Sequence, residues 1–300
     1  MQKYGFGYQG GKTKIAEEII NILPAGERFV DLFGGGAAMT HCACVSGKYK
    51  SVLYNDVNPL CVQLFNDALN GRFAESVFTP EFISREEFFK RKDVDGYVKY
   101  VWSFGNDGKS YIYGKHIEPV KRELHNLVVF GMEPDRKIFS EYGISDIDDI
   151  QLESQGIKQR RLELKKKLSA KLIRCDMEAL KRIENLQNLV NIGRLQALER
   201  IEALERIDYS AYVYKSGDIV YCDPPYQNVS ESQKKCYLGE LFDNKRFFDW
   251  VASRDYPVYF SNYEINDDRF VKVWSKEIKS TLSATNNACL KTEYLYWNGR

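Results

Sequence analysis

Over the first seventy residues, apolar positions recur in periods that predict alternating helices and strands. Residues 13–23 (TKIAEEIINIL) carry apolar side chains at 15, 19, 20 and 23, one face of a helix that stops at Pro24. The run Phe29-Val30-Asp31-Leu32 predicts a buried strand, and Gly34-Gly35-Gly36 a turn behind it. After a helical stretch, Ser51-Val52-Leu53-Tyr54 predicts a second strand ending in Asn55-Asp56, and helical spacing returns from Pro59 to Leu69. Strand, glycine turn, helix, strand is the βαβ pattern of a parallel sheet, in which ligands gather at the carboxyl ends of the strands.

The middle of the chain, roughly 73–205, reads differently. Trp102 to Tyr111 is rich in glycine and aromatic residues and predicts a hairpin or loop, serving either as core or as a probe of a partner. The stretch from Glu141 to Glu153 is acidic without a basic residue and reads as a solvated linker. Residues 158–174 hold eight Lys and Arg, including Lys165, Lys166 and Lys167, against one acid. Leu164, Leu168 and Leu172 lie four apart there, which predicts an amphipathic helix with a basic face. From Leu180 to Ile207 an aliphatic residue stands at every third position. A helix turns 100° per residue, so this stripe would wind around it. Strands need period two, so a plain strand is excluded as well, which leaves a helix or a short solenoid-like coil. Beyond 206 the βα pattern resumes. Asp218 to Cys222 is a strong buried strand, 246–252 is helical, and Tyr256 to Phe260 and Tyr294 to Trp297 are strands.

Composition narrows the class. With 44% hydrophobic and 28% charged residues the chain has apolar material for a globular core, and its 300 residues suggest two domains. It contains no apolar run of eighteen and no basic-then-apolar leader, which points away from membrane spanning and classical secretion. Seven cysteines without a CxxC pair, and only three histidines, argue against a disulfide framework or a structural zinc site and for a reducing compartment. His41, Cys42 and Cys44 read as small buried helix residues rather than metal ligands. A net charge of +1 decides nothing about nucleic acid.

The chemistry lies where acids meet strand ends. Asp31, Asp56 and Asp223 each fall at or near the carboxyl end of a predicted strand, and Asp208 follows the apolar approach ending at Ile207. In an open α/β sheet those ends line one crevice, so four carboxylates distant in sequence can converge on one ligand. Gly34–Gly36 lets a ligand approach the backbone, and an acid some twenty residues after it suits a ribose hydroxyl. Met39 stands where a dinucleotide fingerprint wants another glycine, and no Walker loop occurs, so a nucleoside ligand without a pyrophosphate fits better. Asp223-Pro224-Pro225-Tyr226 directly after a buried strand is the strongest signal. Two prolines fix a rigid turn and leave carbonyls exposed, so the acid and the turn offer two acceptors to one amino group while Tyr226 offers a stacking face.

On these residues the chain resembles the Dam-type adenine-N6 DNA methyltransferases, which use S-adenosyl-L-methionine. The matching segments are Tyr8-Gln9-Gly10-Gly11-Lys12, Asp31-Leu32-Phe33-Gly34-Gly35-Gly36, Asn55-Asp56, Asp208-Tyr209 and Asp223-Pro224-Pro225-Tyr226, in the order of the alpha group of these enzymes. The resemblance implies an α/β, Rossmann-like methyltransferase sheet formed by 1–72 and 206–300, with 73–205 as an inserted, mostly helical target-recognition domain. It implies that Tyr8 and Lys12 meet the cofactor, Asp31, Phe33 and Gly34–Gly36 hold its methionine side, Asp56 its ribose, and Asp208-Tyr209 its adenine. Asp223 borders the cofactor and, with Pro224, accepts the amino group of the target adenine, while Tyr226 stacks on that base after it is flipped from duplex DNA. No metal takes part. The same resemblance implies a cytoplasmic protein associated with the nucleoid through DNA, and leaves open a companion restriction endonuclease. Two other readings remain: an RNA adenine methyltransferase, and a catalytically idle DNA-binding regulator of the same fold.

Overall fold

The computed structural model describes residues 4–74, 76, 78–142, 152, 156–170, 188–226, 242–279 and 290–300. Two compact units are formed, one by Met1–Gly71 with Asn191–Arg300 and the other by Arg72–Val190.

The first unit holds α1 (Ala16–Ile22), β1 (Gly26–Asp31), α2 (Ala38–Ser46), β2 (Tyr49–Asn55) and α3 (Pro59–Leu69). After the second unit's segment, the chain returns to it with β3 (Ile201–Glu205), β4 (Asp218–Cys222), a helix over Asn244–Ala252, β5 (Val258–Asn262), β6 (Val271–Lys279) and β7 (Leu290–Trp297). The seven strands form one sheet in the order β3-β2-β1-β4-β5-β7-β6. The first five in that order run parallel, and β7 is antiparallel to both β5 and β6. This is an α/β, Rossmann-like sheet, the architecture expected from the sequence. Strand order reverses between β1 and β4, so the loops leaving their carboxyl ends diverge and open a crevice there.

The central strands read as unbroken apolar runs because both sheet faces are covered. Val30, Leu32, Val220, Cys222 and Phe260 pack with Phe247, Phe248 and Val251 of the helix over Asn244–Ala252. On the opposite face Phe29 contacts Tyr49 and Tyr221, under α2, whose residues Ala38–Cys44 are all buried.

At the amino ends of the strands, away from the crevice, Arg28 makes a bidentate pair with Asp218 at 2.8 and 2.9 Å. The Asp218 carboxylate also accepts from Tyr212 and from the Lys215 amide, and Arg28 reaches Glu202 at 2.9 Å, so β1, β3 and β4 are tied together. Both partners of the central pair are almost fully buried. Removing one would leave the other charge uncompensated. Asp218→Ala is therefore expected to lower unfolding free energy by about 3–5 kcal/mol, read by chemical denaturation. A loss below 1 kcal/mol would mean that the network contributes little.

Two departures from the sequence pattern involve strands. The period-three stretch is neither one helix nor a solenoid over the described residues. Residues 188–193 are helical, Arg194–Leu198 form a 3-10 turn, Glu199 takes φ +49, and Ile201–Glu205 is strand β3. The strand excluded on periodicity forms because β3 is a sheet edge, where four of its five residues are half-buried and neither face imposes period two. Residues 180–187 lie outside the described residues. Because β3 pairs with β2, the sheet unit resumes at Asn191 rather than at 206. The second departure is β6, which has no sustained apolar run or alternation to mark it as a strand. It is the opposite edge and carries Lys272, Lys276, Glu277 and Lys279, the charged pattern that discourages edge-to-edge pairing.

In the second unit the described regular elements are helices: α4 (Arg85–Arg91), α5 (Gly96–Val101), α6 (Glu118–Phe130), α7 (Arg136–Glu141) and α8 (Ile157–Ala170); the helix over Asn244–Ala252 is thus α9. Ser84 and Glu87 form a reciprocal capping box that starts α4. Val120, Leu124, Leu127 and Val128 of α6 pack with Phe139 and with Leu164 of α8. The basic helix is partly consumed by structure. Arg160 donates to the carbonyls of Val128 and Val129 at 2.7 Å, ending α6, which has no basic residue in its own last turn. The Trp102–Tyr111 segment is a loop closed by a single bridge between Ser103 and Tyr111. Asn106 donates to the Tyr100 carbonyl, and Asp107 accepts from the amides of Lys109 and Ser110, so these two side chains shape the loop. Most of the acidic stretch 141–153 lies outside the described residues.

Candidate functional site

A cavity of about 380 Å³ opens in the crevice, within the range of small-ligand pockets. Its wall contains Tyr8, Lys12, Asp31, Phe33, Gly34, Gly35, Gly36, Asp56, Asp208, Tyr209 and Asp223. The topology explains the convergence. Asp31 is the last residue of β1, Asp56 follows β2, and Asp223 follows β4, all at carboxyl ends of parallel strands. Pro225 also borders the cavity, whereas Pro224, which is buried, and Tyr226 are not part of the lining.

Each carboxylate has a different environment. Asp31 Oδ2 accepts from Thr40 Oγ1 at 2.7 Å, and Oδ1 is buried with no hydrogen-bond partner among the described residues. Burial lifts its pKa to about 7, with Thr40 working against the rise and Asp223 and Asp56 adding to it. Asp56 accepts from the Gly35 amide at 2.7 Å and the Asn58 amide at 2.8 Å, and burial raises it to about 6 in spite of both bonds. Thus Asp56 fixes the glycine turn as well as facing the cavity. Asp223 Oδ2 lies 2.8 Å from the Lys12 ammonium, while its Oδ1 is buried without a partner among the described residues. Burial raises Asp223 to about 6, and Lys12 limits the rise. For Lys12, burial works against the charge, but Asp223 and Glu293 outweigh it and raise the ammonium above its ordinary value. Asp208 is half exposed, accepting from the Ser210 amide and hydroxyl and from Arg246 at 3.0 Å. Desolvation raises it, but those bonds win and hold it below the usual carboxylate range.

The glycine cluster has packing reasons of its own. A Cβ on Gly34 would lie 2.1 Å from the Tyr54 ring, and one on Gly36 would lie 2.7 Å from the Phe6 carbonyl. Gly35 takes φ +46. The Phe6 amide donates to Gly36 and the Tyr54 hydroxyl to Gly35, so the turn is clamped between the N-terminal segment and β2.

The remaining wall is aromatic. Phe33 contacts Tyr209, Phe242 and Phe247 at 5.4–5.7 Å, and the Arg246 guanidinium lies over the Tyr209 ring at 5.4 Å. Phe242 and Arg246 border the cavity and were not singled out in the sequence. Arg246 lies in the first turn of α9 and Phe242 just before its Asp243 cap, so the start of that helix borders the cavity. Glu293 was missed as well: β7 is antiparallel, so its early residues, not its last, reach the crevice side.

Tyr226 has the Lys12 ammonium 4.8 Å from its ring centroid, meets Tyr263 edge-on at 4.8 Å, and donates from its hydroxyl to Glu293 at 3.4 Å. His41 accepts the Gly5 amide at Nδ1, packs edge-on to Tyr4, and is lowered by burial to about 4, so it is neutral. Burial pushes the thiols of Cys42 and Cys44 up to about 12. No cluster of three or more His, Cys, Asp or Glu suited to a metal ion occurs among the described residues.

Residues 8–129 match the family described as D12 class N6 adenine-specific DNA methyltransferase. The match takes in Tyr8 to Asp56 and leaves Asp208, Asp223 and Tyr226 outside it; it supports a methyltransferase directed at adenine. No curated protein matches the chain. Among solved structures, the rRNA methyltransferase aviRa from Streptomyces viridochromogenes aligns over 94% of this chain and 82% of that chain, at 12% identity and a TM-score of 0.34.

Proposed function

We propose that the protein transfers a methyl group from S-adenosyl-L-methionine to N6 of adenine in double-stranded DNA. The observation that carries this reading is the pairing of Asp31 and Asp223 across the β1/β4 switch point, in one cavity, each with a buried carboxylate oxygen that has no partner among the described residues. The residues fit the cofactor. Its methionine part bears an ammonium and a sulfonium, which suit the acidic Asp31 side, and its adenine suits the aromatic wall of Phe33, Tyr209 and Phe242. Asp56 and the Gly34–Gly36 turn then face the ribose and the chain joining the two parts. When bound, the cofactor supplies an electrophilic methyl group on sulfur.

The protein's own work is to make a poor nucleophile reactive. The adenine amino nitrogen shares its lone pair with the ring. Asp223 Oδ1 and the Pro224 carbonyl accept its two hydrogens, which draws electron density back to nitrogen and aligns it for in-line displacement. Lys12 keeps Asp223 ionised inside a buried site. The rigid Pro224-Pro225 turn fixes both acceptors without spending a backbone donor. Adenine N6 is stacked and paired in a duplex, so the base leaves the helix to reach Asp223. Any flipped adenine satisfies these acceptors, and the unit formed by Arg72–Val190 is assigned the choice of sequence. Such a protein works in the cytoplasm, at the nucleoid.

The test is methyl uptake from labelled S-adenosylmethionine by adenine-containing duplex DNA and by RNA. Label in DNA is the expected result. Label confined to RNA would move the reading to an RNA methyltransferase, and cofactor binding without transfer to either would indicate an idle site.

A further inference from the structure

Glu293 is bound to Lys12, the ammonium paired with Asp223, and to Tyr226, whose hydroxyl also acts on Asp223. Lys12 Nζ lies 2.8 Å from Asp223 Oδ2 and 3.8 Å from Glu293 Oε2, and donates to the Gly10 carbonyl at 3.1 Å. Tyr226, beneath that ammonium, donates to Glu293 Oε2. Lys12 is 5% exposed, and the Asp223 and Glu293 side chains are 17% and 16% exposed. The three charges come from the N-terminal segment, the end of β4 and β7.

One ammonium and one carboxylate already balance. A second carboxylate adds repulsion in a poorly hydrated place and needs a reason. Pairing within the β6–β7 hairpin is not that reason, because Lys276, opposite Glu293 in the register, is bound to Glu18 instead. We infer that Glu293 is a positioning residue for methyl transfer, drawing the Lys12 ammonium and the Tyr226 hydroxyl toward itself so that Asp223 meets the substrate ionised but incompletely neutralised. The inference rests on the proposed role of Asp223 as acceptor of the adenine amino group.

The physical consequence is a divided cation. With Glu293 present, Lys12 shares its charge, and Asp223 remains a strong hydrogen-bond acceptor. Without Glu293, Lys12 is spent on Asp223 alone. The charged and titratable groups facing Asp223 are Lys12, Asp31 of β1, Tyr221 and Cys222 of β4, Tyr226, and Glu293 of β7; Tyr263 faces Lys12. Of these, burial aside, Lys12 and the Tyr226 hydroxyl lower Asp223 and Glu293 raises it.

Two readouts separate the coupling from the role. Carboxyl-carbon NMR, with Asp223 assigned by its loss in Asp223→Asn, follows its titration without any reaction. Glu293→Gln is expected to lower the midpoint by about half to one pH unit, and Lys12→Met to raise it. In single-turnover methyl transfer, the acid limb of the rate profile should move in the same opposite senses. The Glu293→Gln plateau should fall several-fold with cofactor affinity unchanged, and Glu293→Asp should recover part of the loss. Melting curves establish that each variant is folded. An Asp223 midpoint that stays put in Glu293→Gln overturns the inference, whatever the activity. A midpoint that moves while the wild-type protein methylates nothing leaves the coupling standing but overturns the role, together with the proposed function.

Discussion

Asp223→Ala is expected to reduce methyl transfer by roughly a thousandfold while leaving cofactor affinity nearly unchanged. Electrostatic contacts aimed at the reacting group are typically worth about a hundred- to a thousandfold each, and Asp223 is the only acid placed at the prolyl turn. The loss should fall on the rate constant, because the acceptor acts on the amino group as its nitrogen becomes tetrahedral. Cofactor affinity is spared because Asp31, Asp56 and the aromatic wall remain. The alanine variant also strands Lys12, so Asp223→Asn serves as the control that keeps shape and removes charge. It should be impaired to a similar degree, since its amide presents one acceptor and one donor where two acceptor oxygens stood. Rates from single turnovers and affinities from calorimetry separate the two effects. Near-normal turnover by Asp223→Ala would remove it from the chemistry.

The second large effect concerns Asp31 and pH. Its carboxyl titrates near pH 7 in the free protein because it is buried. A cationic ligand favours the ionised form, so binding releases the proton. S-adenosylmethionine affinity is therefore expected to rise as pH increases through about 7 and to level off above it. Below that value affinity should fall about tenfold per pH unit, the limit for one obligatory deprotonation. Calorimetry in buffers of different ionisation enthalpy counts the released proton directly. Asp31→Asn should weaken binding by about 2–5 kcal/mol at pH 8 and flatten the profile. The same raised carboxyl has a signature in the free protein. A carboxyl with folded pKa above its unfolded value holds its proton longer when folded, so this contribution to stability declines as pH rises from about 4 to 7. Asp56 and Asp223, also raised, act in the same direction up to about pH 6. A pH-independent affinity without proton release would remove Asp31 from the ligand's cationic side.

What could be read from the sequence follows the physics that makes patterns visible. Buried parallel strands such as β1 and β4 announce themselves as apolar runs, and the acids that end them are exceptions to their surroundings. Asp31, Asp56 and Asp223 stood out for that reason, and the structure brings them to one cavity. Helix α3 was legible to the residue from its apolar spacing between Pro59 and Leu69, and the structure adds the Asn58 cap. Edge strands leave weaker traces. β3 is hidden in a period-three stretch, and β6 is as charged as a loop, because an edge need not be apolar on either face. The glycines were seen, but not their packing reasons, which depend on Tyr54 and Phe6 arriving from elsewhere in the fold. Glu293 was invisible because direction along a strand decides which end reaches the crevice, and the short run Tyr294 to Trp297 does not show which way it pairs. Likewise the basic run on α8 did not disclose that Arg160 serves as the cap of α6.

The most direct test of the central claim is nucleoside mass spectrometry on duplex DNA after reaction with purified protein and S-adenosylmethionine bearing a heavy methyl group. The account predicts heavy N6-methyladenine in DNA digested from the wild-type reaction and none above background with Asp223→Ala. Heavy label on cytosine, on adenine only in RNA, or on adenine at equal levels with both proteins would contradict it.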